Sequence, residues 1–218
     1  MTWDEIRPML GQATLETLQM TVWAAALTAL GGLVLGVLLV ATGRGGLLPV
    51  APLNRVLAAI VNVGRSLPFI ILMVAILPFT RALTGTTIGT AAAIVPLTVA
   101  AVPFYARLVE TALREVDPGV IDAARAMGAS RWQISRKVLL REAAPGLVAG
   151  LTITVVAIVG YSAMAGAIGG GGLGDLAVRY GYQRFETGVM VATVVLLVVV
   201  VQLVQTLGDL LVRRLSHK

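Results

Sequence analysis

Five long runs of this chain carry almost no charge, and they constrain its fold more than any motif does. Residues 17–42, 82–106, 143–174 and 187–208 contain no charged side chain, and residues 56–80 contain only Arg65. A hydrocarbon core of roughly 30 Å takes about 20 apolar helical residues to cross. Helices satisfy their backbone polar groups internally, and the runs lack the alternation of a barrel strand. The expectation is an all-α membrane protein of five transmembrane helices, at about 15–41, 56–79, 84–107, 145–168 and 187–211. A mean hydropathy of +0.90 excludes an ordinary soluble domain. The five spans leave no room for a second domain, so residues 1–218 read as one bundle. The first run is too long for a signal-peptide core and lacks a basic leader, so it reads as a permanent span.

Charge fixes an orientation. If the N-terminus is outside, the inner segments hold Arg44, Arg55, Arg107, Arg114, Arg125, Arg131, Arg136, Lys137, Arg141, Arg213, Arg214 and Lys218, whereas the outer ones hold Arg7, Arg81, Arg179 and Arg184. That bias puts the N-terminus outside and the C-terminus in the cytoplasm. The 17 basic residues form no single soluble face, which argues against nucleic acid as a partner. The absence of cysteine excludes disulfides and thiolate metal sites. His217 is terminal and carries no expectation.

Several segments should depart from regular helix. Residues 1–14, with Trp3 and Pro8, suit a short outer interfacial helix. Residues 43–52, GRGGLLPVAP, form a turn. Gly64 and Pro68 should loosen or kink the second span, and Pro96 and Pro103 should bend the third. Residues 166–176, GAIGGGGLGDL, read as an outer loop or re-entrant turn, because each helical glycine costs about 1 kcal/mol against alanine. Gly169, Gly171 and Gly174 satisfy G-x-G-x-x-G, but no βαβ unit surrounds them and no nucleotide site is expected.

The charged stretch 117–142 is the one substantial inner segment. Asp117-Pro118 is a helix start, Gly128 is a natural left-handed stop, and Ser130-x-x-Gln133 has the form of a capping box opening a second helix at Arg131. Pro145 ends that helix or opens the next span. Ile121, Met127, Trp132, Ile134 and Val138 could hold the segment at the inner surface, with basic neighbours meeting anionic headgroups. Physics alone leaves two readings open: a basic amphipathic connection, or a docking element whose small Ala123, Ala124, Ala126 and Gly128 admit close approach.

Asp122-Ala123-Ala124 followed by Gly128 resembles the E-A-A-x-x-x-G signature of permease subunits of binding-protein-dependent ABC importers. The resemblance implies an ABC-permease bundle whose coupling helix docks on a separate ATPase through Asp122, Ala123, Ala124, Met127 and Gly128. The family's later I-x-L-P is matched here only at the leucine, in Val138-Leu139-Leu140-Arg141. Residues 65–81, 92–110 and 159–182 are more closely similar to permeases of methionine importers. That likeness implies two ATPase subunits, an external binding protein, a second copy of the chain and methionine as partners, in a bacterial inner membrane.

No Asp or Glu falls inside an expected span and no Walker motif is present, so the chain should be no enzyme and should need neither cofactor nor metal. Work must then come from another subunit. Arg65 and Pro68 in the second span, and Ser162 and Met164 in the fourth, are candidates for the translocation path or its gate. Arg65 could instead snorkel or bond carbonyls freed by Pro68, and Met164 could be core packing. An autonomous facilitator, a scaffold without transport and a permease for another amino acid remain open as alternatives.

Overall fold

The computed structural model describes residues 3–216, and His217 and Lys218 lie outside the described residues. The fold is entirely helical. Helix α1 (Trp3–Thr42) is followed by a turn, then by α2 (Ala51–Ser66), α3 (Phe69–Ala75), α4 (Leu77–Thr84) and the long α5 (Thr90–Arg114). Short helices α6 (Pro118–Ala126), α7 (Arg131–Gln133) and α8 (Leu140–Glu142) come next, the last two joined by π-helical Ile134–Leu139. Helix α9 (Ala144–Ala165) runs through a π turn, Gly166–Gly170, into α10 (Gly172–Leu176) and its π-helical extension Ala177–Tyr182. Helix α11 (Thr187–Ser216) ends the described chain.

Four segments are each long and apolar enough to cross a bilayer: Trp3–Thr42, Thr90–Arg114, Ala144–Gly170 and Thr187–Ser216. A fifth can be built from α2 and α3, which meet at an angle of 107°. That break falls at Leu67–Pro68, where proline lacks a backbone donor and its predecessor is pushed to an extended conformation, ψ 127°. By contrast, α5 runs unbroken through Pro96 and Pro103.

Two expectations are corrected. Residues 3–14 are no separate interfacial helix, because α1 continues without a break through Pro8 for 40 residues, about 60 Å. Of the two forms expected for residues 166–176 the loop is the one corrected, since the glycines make a turn that leads into a short helix. The turn uses positive φ at Gly169, Gly171 and Gly172, which only glycine adopts cheaply.

Helix α1 packs along α5, with α9 and α2 flanking it. The α1–α5 seam depends on small residues four apart: a Cβ on Gly32 would lie 2.7 Å from the Tyr105 ring, and one on Gly36 would lie 2.5 Å from Val109 Cγ1. Close backbone approach of this kind is the main source of helix association in lipid, where apolar burial alone gives no drive. Met20, Phe69, Met73, Leu97 and Ile158 fill one core cluster, and the Phe69 ring stacks on Tyr161 at 4.7 Å. A second cluster, with Tyr105, Val109, Leu113 and Leu139, roots α6–α8 onto α5 and α9.

Candidate functional site

The segment from α6 to α8 forms a hook whose corners are closed locally. Asp117 Oδ1 accepts from the Gly119 amide at 2.8 Å, and Pro118 opens α6. At the other end the Ala129 amide donates to Ala124 O at 3.1 Å and the Gly128 amide to Arg125 O at 2.9 Å, with Gly128 at φ +79°. This is a Schellman closure, and it satisfies carbonyls that a frayed helix end would leave free. Both bonds of the capping box form, from the Gln133 amide to Ser130 Oγ and from the Ser130 amide to Gln133 Oε1. Lacking a proline at Arg141, the helical path continues to Glu142, and Pro145 lies in the first turn of α9.

Four of the five residues expected to dock lie together on the hook's outer surface. Asp122, Ala123, Met127 and Gly128 are exposed, Met127 to 81%, whereas Ala124 is buried against its own chain. Asp122 pairs with Arg125 at 3.1 Å, an exposed pair worth well under about 1 kcal/mol. Of the apolar residues expected to anchor the segment, Ile134 is buried and Ile121 packs into the second core cluster. Met127 and Trp132 are exposed on the chain, Trp132 to 70%. Behind α6 lies a hollow of about 340 Å³ lined by Val37, Val40, Leu113, Ile121, Ile134 and Leu139 among others.

The candidate path residues do not form one constellation. Arg65 and Pro68 are exposed at the α2–α3 break. Ser162 is buried and its hydroxyl donates to Val159 O at 2.8 Å, while Met164 is 47% exposed on another face of α9.

Two polar clusters escaped the sequence reading. Glu110 is buried on α5, where its carboxylate receives Arg107 at 2.6 Å and Arg114 at 2.7 Å. Arg107 also donates to Asn62 Oδ1 on α2 at 2.7 Å. The signal was the i, i+3, i+7 spacing of opposite charges, which the expected end of the third span at 107 concealed. Glu110→Gln removes the shared anion, but Arg107 keeps Asn62 and both guanidiniums reach solvent, so the variant should cost about 1–3 kcal/mol and lower the melting temperature of the purified protein.

The second cluster lies at the opposite end of α1. The Gly172 amide donates to Glu16 Oε2 at 2.8 Å and the Leu173 amide to Thr17 Oγ1 at 2.9 Å, so α1 caps the helix that follows the glycine turn. Glycines let the backbones meet there, for a Cβ on Gly174 would lie 2.3 Å from Ala163 O. Glu16→Ala should cost about 1 kcal/mol, read as faster amide hydrogen exchange at Gly172 and Leu173.

A multi-span helical bundle bearing a self-capped, outward-facing hook has the architecture of an integral-membrane permease. The chain belongs to the family described as "Binding-protein-dependent transport system inner membrane component", whose profile matches residues 32–217. It is 55% identical over 206 residues to the "Probable D-methionine transport system permease protein MetI" of Vibrio cholerae, covering 94% of this chain and 92% of that one. It is 46% identical to the "Methionine import system permease protein MetP" of Bacillus subtilis, covering 93% and 91% respectively. Among solved structures it superimposes with a TM-score of 0.96, at 50% identity and over 100% of both chains, on a chain from "Inward facing conformations of the MetNI methionine ABC transporter". A chain from an amino acid ABC transporter shares the fold at TM-score 0.80 and 19% identity, covering 96% of this chain and 95% of that one.

Proposed function

We propose that this chain is the permease subunit of an ATP-driven methionine importer, and that it works as a pair of copies with a separate ATPase and an external binding protein. The observation carrying this reading is the self-capped corner at Gly128, which presents Asp122, Ala123 and Met127 on a rigid surface away from the bundle. A hook of this kind passes on a partner's displacement because it is continuous with a span, here through α8 into α9. Methionine as the cargo is supported by the names of the relatives.

In this reading α2 and α3 together make the second of five crossings, and the N-terminus lies outside a bacterial inner membrane. The hook and the inner ends of α1 and α5 then face the cytoplasm, consistent with the distribution of basic residues. Arg65, Pro68 and Met164 border the path between the two copies. Ser162, whose hydroxyl is spent on its own helix, contributes through packing. The Gly169–Gly174 turn and its cap by Glu16 sit at the outer mouth, where cargo arrives.

The test is uptake of L- and D-methionine into liposomes holding the permease, its ATPase and its binding protein. Uptake should require ATP and all three components. Flux through the permease alone would instead identify a facilitator, and assembly without flux a scaffold.

A further inference from the structure

The flank of α11 beside α9 carries a polar stripe that none of the interactions described so far uses. Gln202, Gln205 and Asp209 stand three and four positions apart, which places them on one side of the helix, and all three are exposed on this chain. The Gln202 carboxamide donates to Gln205 Oε1 at 3.2 Å, and none of the ion pairs among the described residues includes Asp209. Beside the stripe α9 and α11 leave a hollow of about 500 Å³, lined by Thr152, Ile153, Val156, Gln205 and Asp209 among others. A second hollow, lined by Val156, Gly160, Ala163 and Gln202 among others, continues it along the same seam. Contact fixes the level of the stripe: a Cβ on Gly208 would lie 2.2 Å from Thr152 Oγ1, so Asp209 is level with the third turn of α9. Gln205 and Gln202 lie about 12 and 17 Å along the helix from Arg213, the first of the basic pair that closes α11.

Lipid does not account for this face. At the depth of Gln202 and Gln205 a bilayer offers only acyl chains, which leave carboxamide donors and acceptors without partners beyond the one bond the two share. Close packing on a second copy would take the Asp209 carboxylate out of water in a hollow with no cation in its lining. Water satisfies all three side chains, and the groove adjoins Gly160, one turn from Met164, which borders the path in the reading above.

The polar atoms of the hollow have one chemistry. The Thr152 hydroxyl donates to Val148 O at 2.9 Å, so its oxygen can only accept a further bond. Gln205 Oε1 takes one bond from Gln202 and has a lone pair left. With the Asp209 carboxylate these make three acceptors and one negative charge, matching the three donors and one positive charge of an ammonium. We propose that the α9–α11 groove is a water-filled part of the path, and that Thr152, Gln205 and Asp209 form a station for the α-ammonium of the amino acid in transit. The inference rests on the transport reading above. A carboxylate open to solvent holds an ammonium weakly, as a station that must release its cargo should.

The chain has no cysteine, so a single thiol can report on the groove. Gln205→Cys is prepared in the full complex with ATPase and binding protein. It is exposed to cationic and anionic methanethiosulfonates of equal size, with Arg44→Cys in the open turn as reference. Relative to that reference the cationic reagent should react about fivefold or more faster than the anionic one, because the Asp209 carboxylate lies one turn away. Adding Asp209→Asn should abolish the preference and leave the thiol reactive. With Gln205 in place, Asp209→Asn should lower methionine uptake about 10- to 100-fold, the loss expected for one charge-assisted contact. Asp209→Glu should lower it less.

A Gln205→Cys thiol inert to both reagents would place the groove against lipid or a second copy and overturn the proposal. So would a charge preference that survives Asp209→Asn, or equal uptake by Asp209→Asn and the unsubstituted complex. Failure of Asp209→Asn to assemble with the ATPase would mark the carboxylate as structural and sink the station as well. If the unsubstituted complex carries no methionine, the transport reading falls instead. Thiol reactivity and its charge preference then still decide whether the groove holds water beside a free carboxylate.

Discussion

Met127→Glu should release the ATPase from the permease. Met127 is 81% exposed at the corner that closes α6, so the free chain loses little packing on substitution. Docking as proposed would bury its side chain, contributing about 1.5–3 kcal/mol, and an unpaired carboxylate in the same place would add a penalty of similar size. The sum corresponds to a loss of affinity of about 100-fold or more. Co-purification should fail and ATP-driven uptake should vanish, while membrane insertion and thermal stability stay within error of the unsubstituted chain. Gly128→Trp should act likewise for a different reason. Its Cβ meets nothing within 4 Å, so the indole adds bulk on the docking side, with about 1–2 kcal/mol of left-handed strain in addition. Normal transport by both variants would remove the hook as the point of coupling.

Gly36→Leu should do the reverse, damaging the bundle and leaving the hook untouched. Even the first added carbon would lie 2.5 Å from Val109 Cγ1 and 2.7 Å from the Ala106 carbonyl oxygen, and the second of these is backbone that cannot rotate away. Helices α1 and α5 must separate, which opens the second core cluster along its length. Overpacking costs typically 1–3 kcal/mol and here should exceed about 3 kcal/mol, because the clash lies in the most extensive helix–helix contact of the fold. The yield of folded protein in mild detergent should collapse. Gly160→Ala is the control: its Cβ meets nothing within 4 Å in this chain, and alanine is the better helix former. Equal thermal stability of the two variants would show that the seam does not depend on close approach.

What could be read from the sequence was what is decided within four residues. Asp117, Gly128 and the Ser130–Gln133 pair act on their immediate neighbours, so their residue types named the caps that form. Pro68 likewise breaks its own helix. The failures involve distant partners. Glu16 and Thr17 cap Gly172 and Leu173 across 156 positions, and no local pattern announces that. The same long-range cap, together with the close contact of Gly174 on Ala163, outweighs the poor helix propensity of glycine after residue 171. Facing directions were equally hidden, since Ala124 and Met127 both suit an amphipathic helix, yet one turns inward and the other outward. The Gly32–Gly36 spacing was in plain view, and only the partner ring of Tyr105 and side chain of Val109 give it meaning.

Every corner of the hook is tied by bonds to residues no more than five positions away, from the Asp117 cap to the Ser130–Gln133 box. Its shape therefore exists before any partner is met. Ordering a floppy segment costs about 1–2 kcal/mol of backbone entropy per residue, and for α6 and its corner that charge was settled during folding. In the proposed docking the hook would then meet its partner with its own surface already formed, so that recognition need not order it.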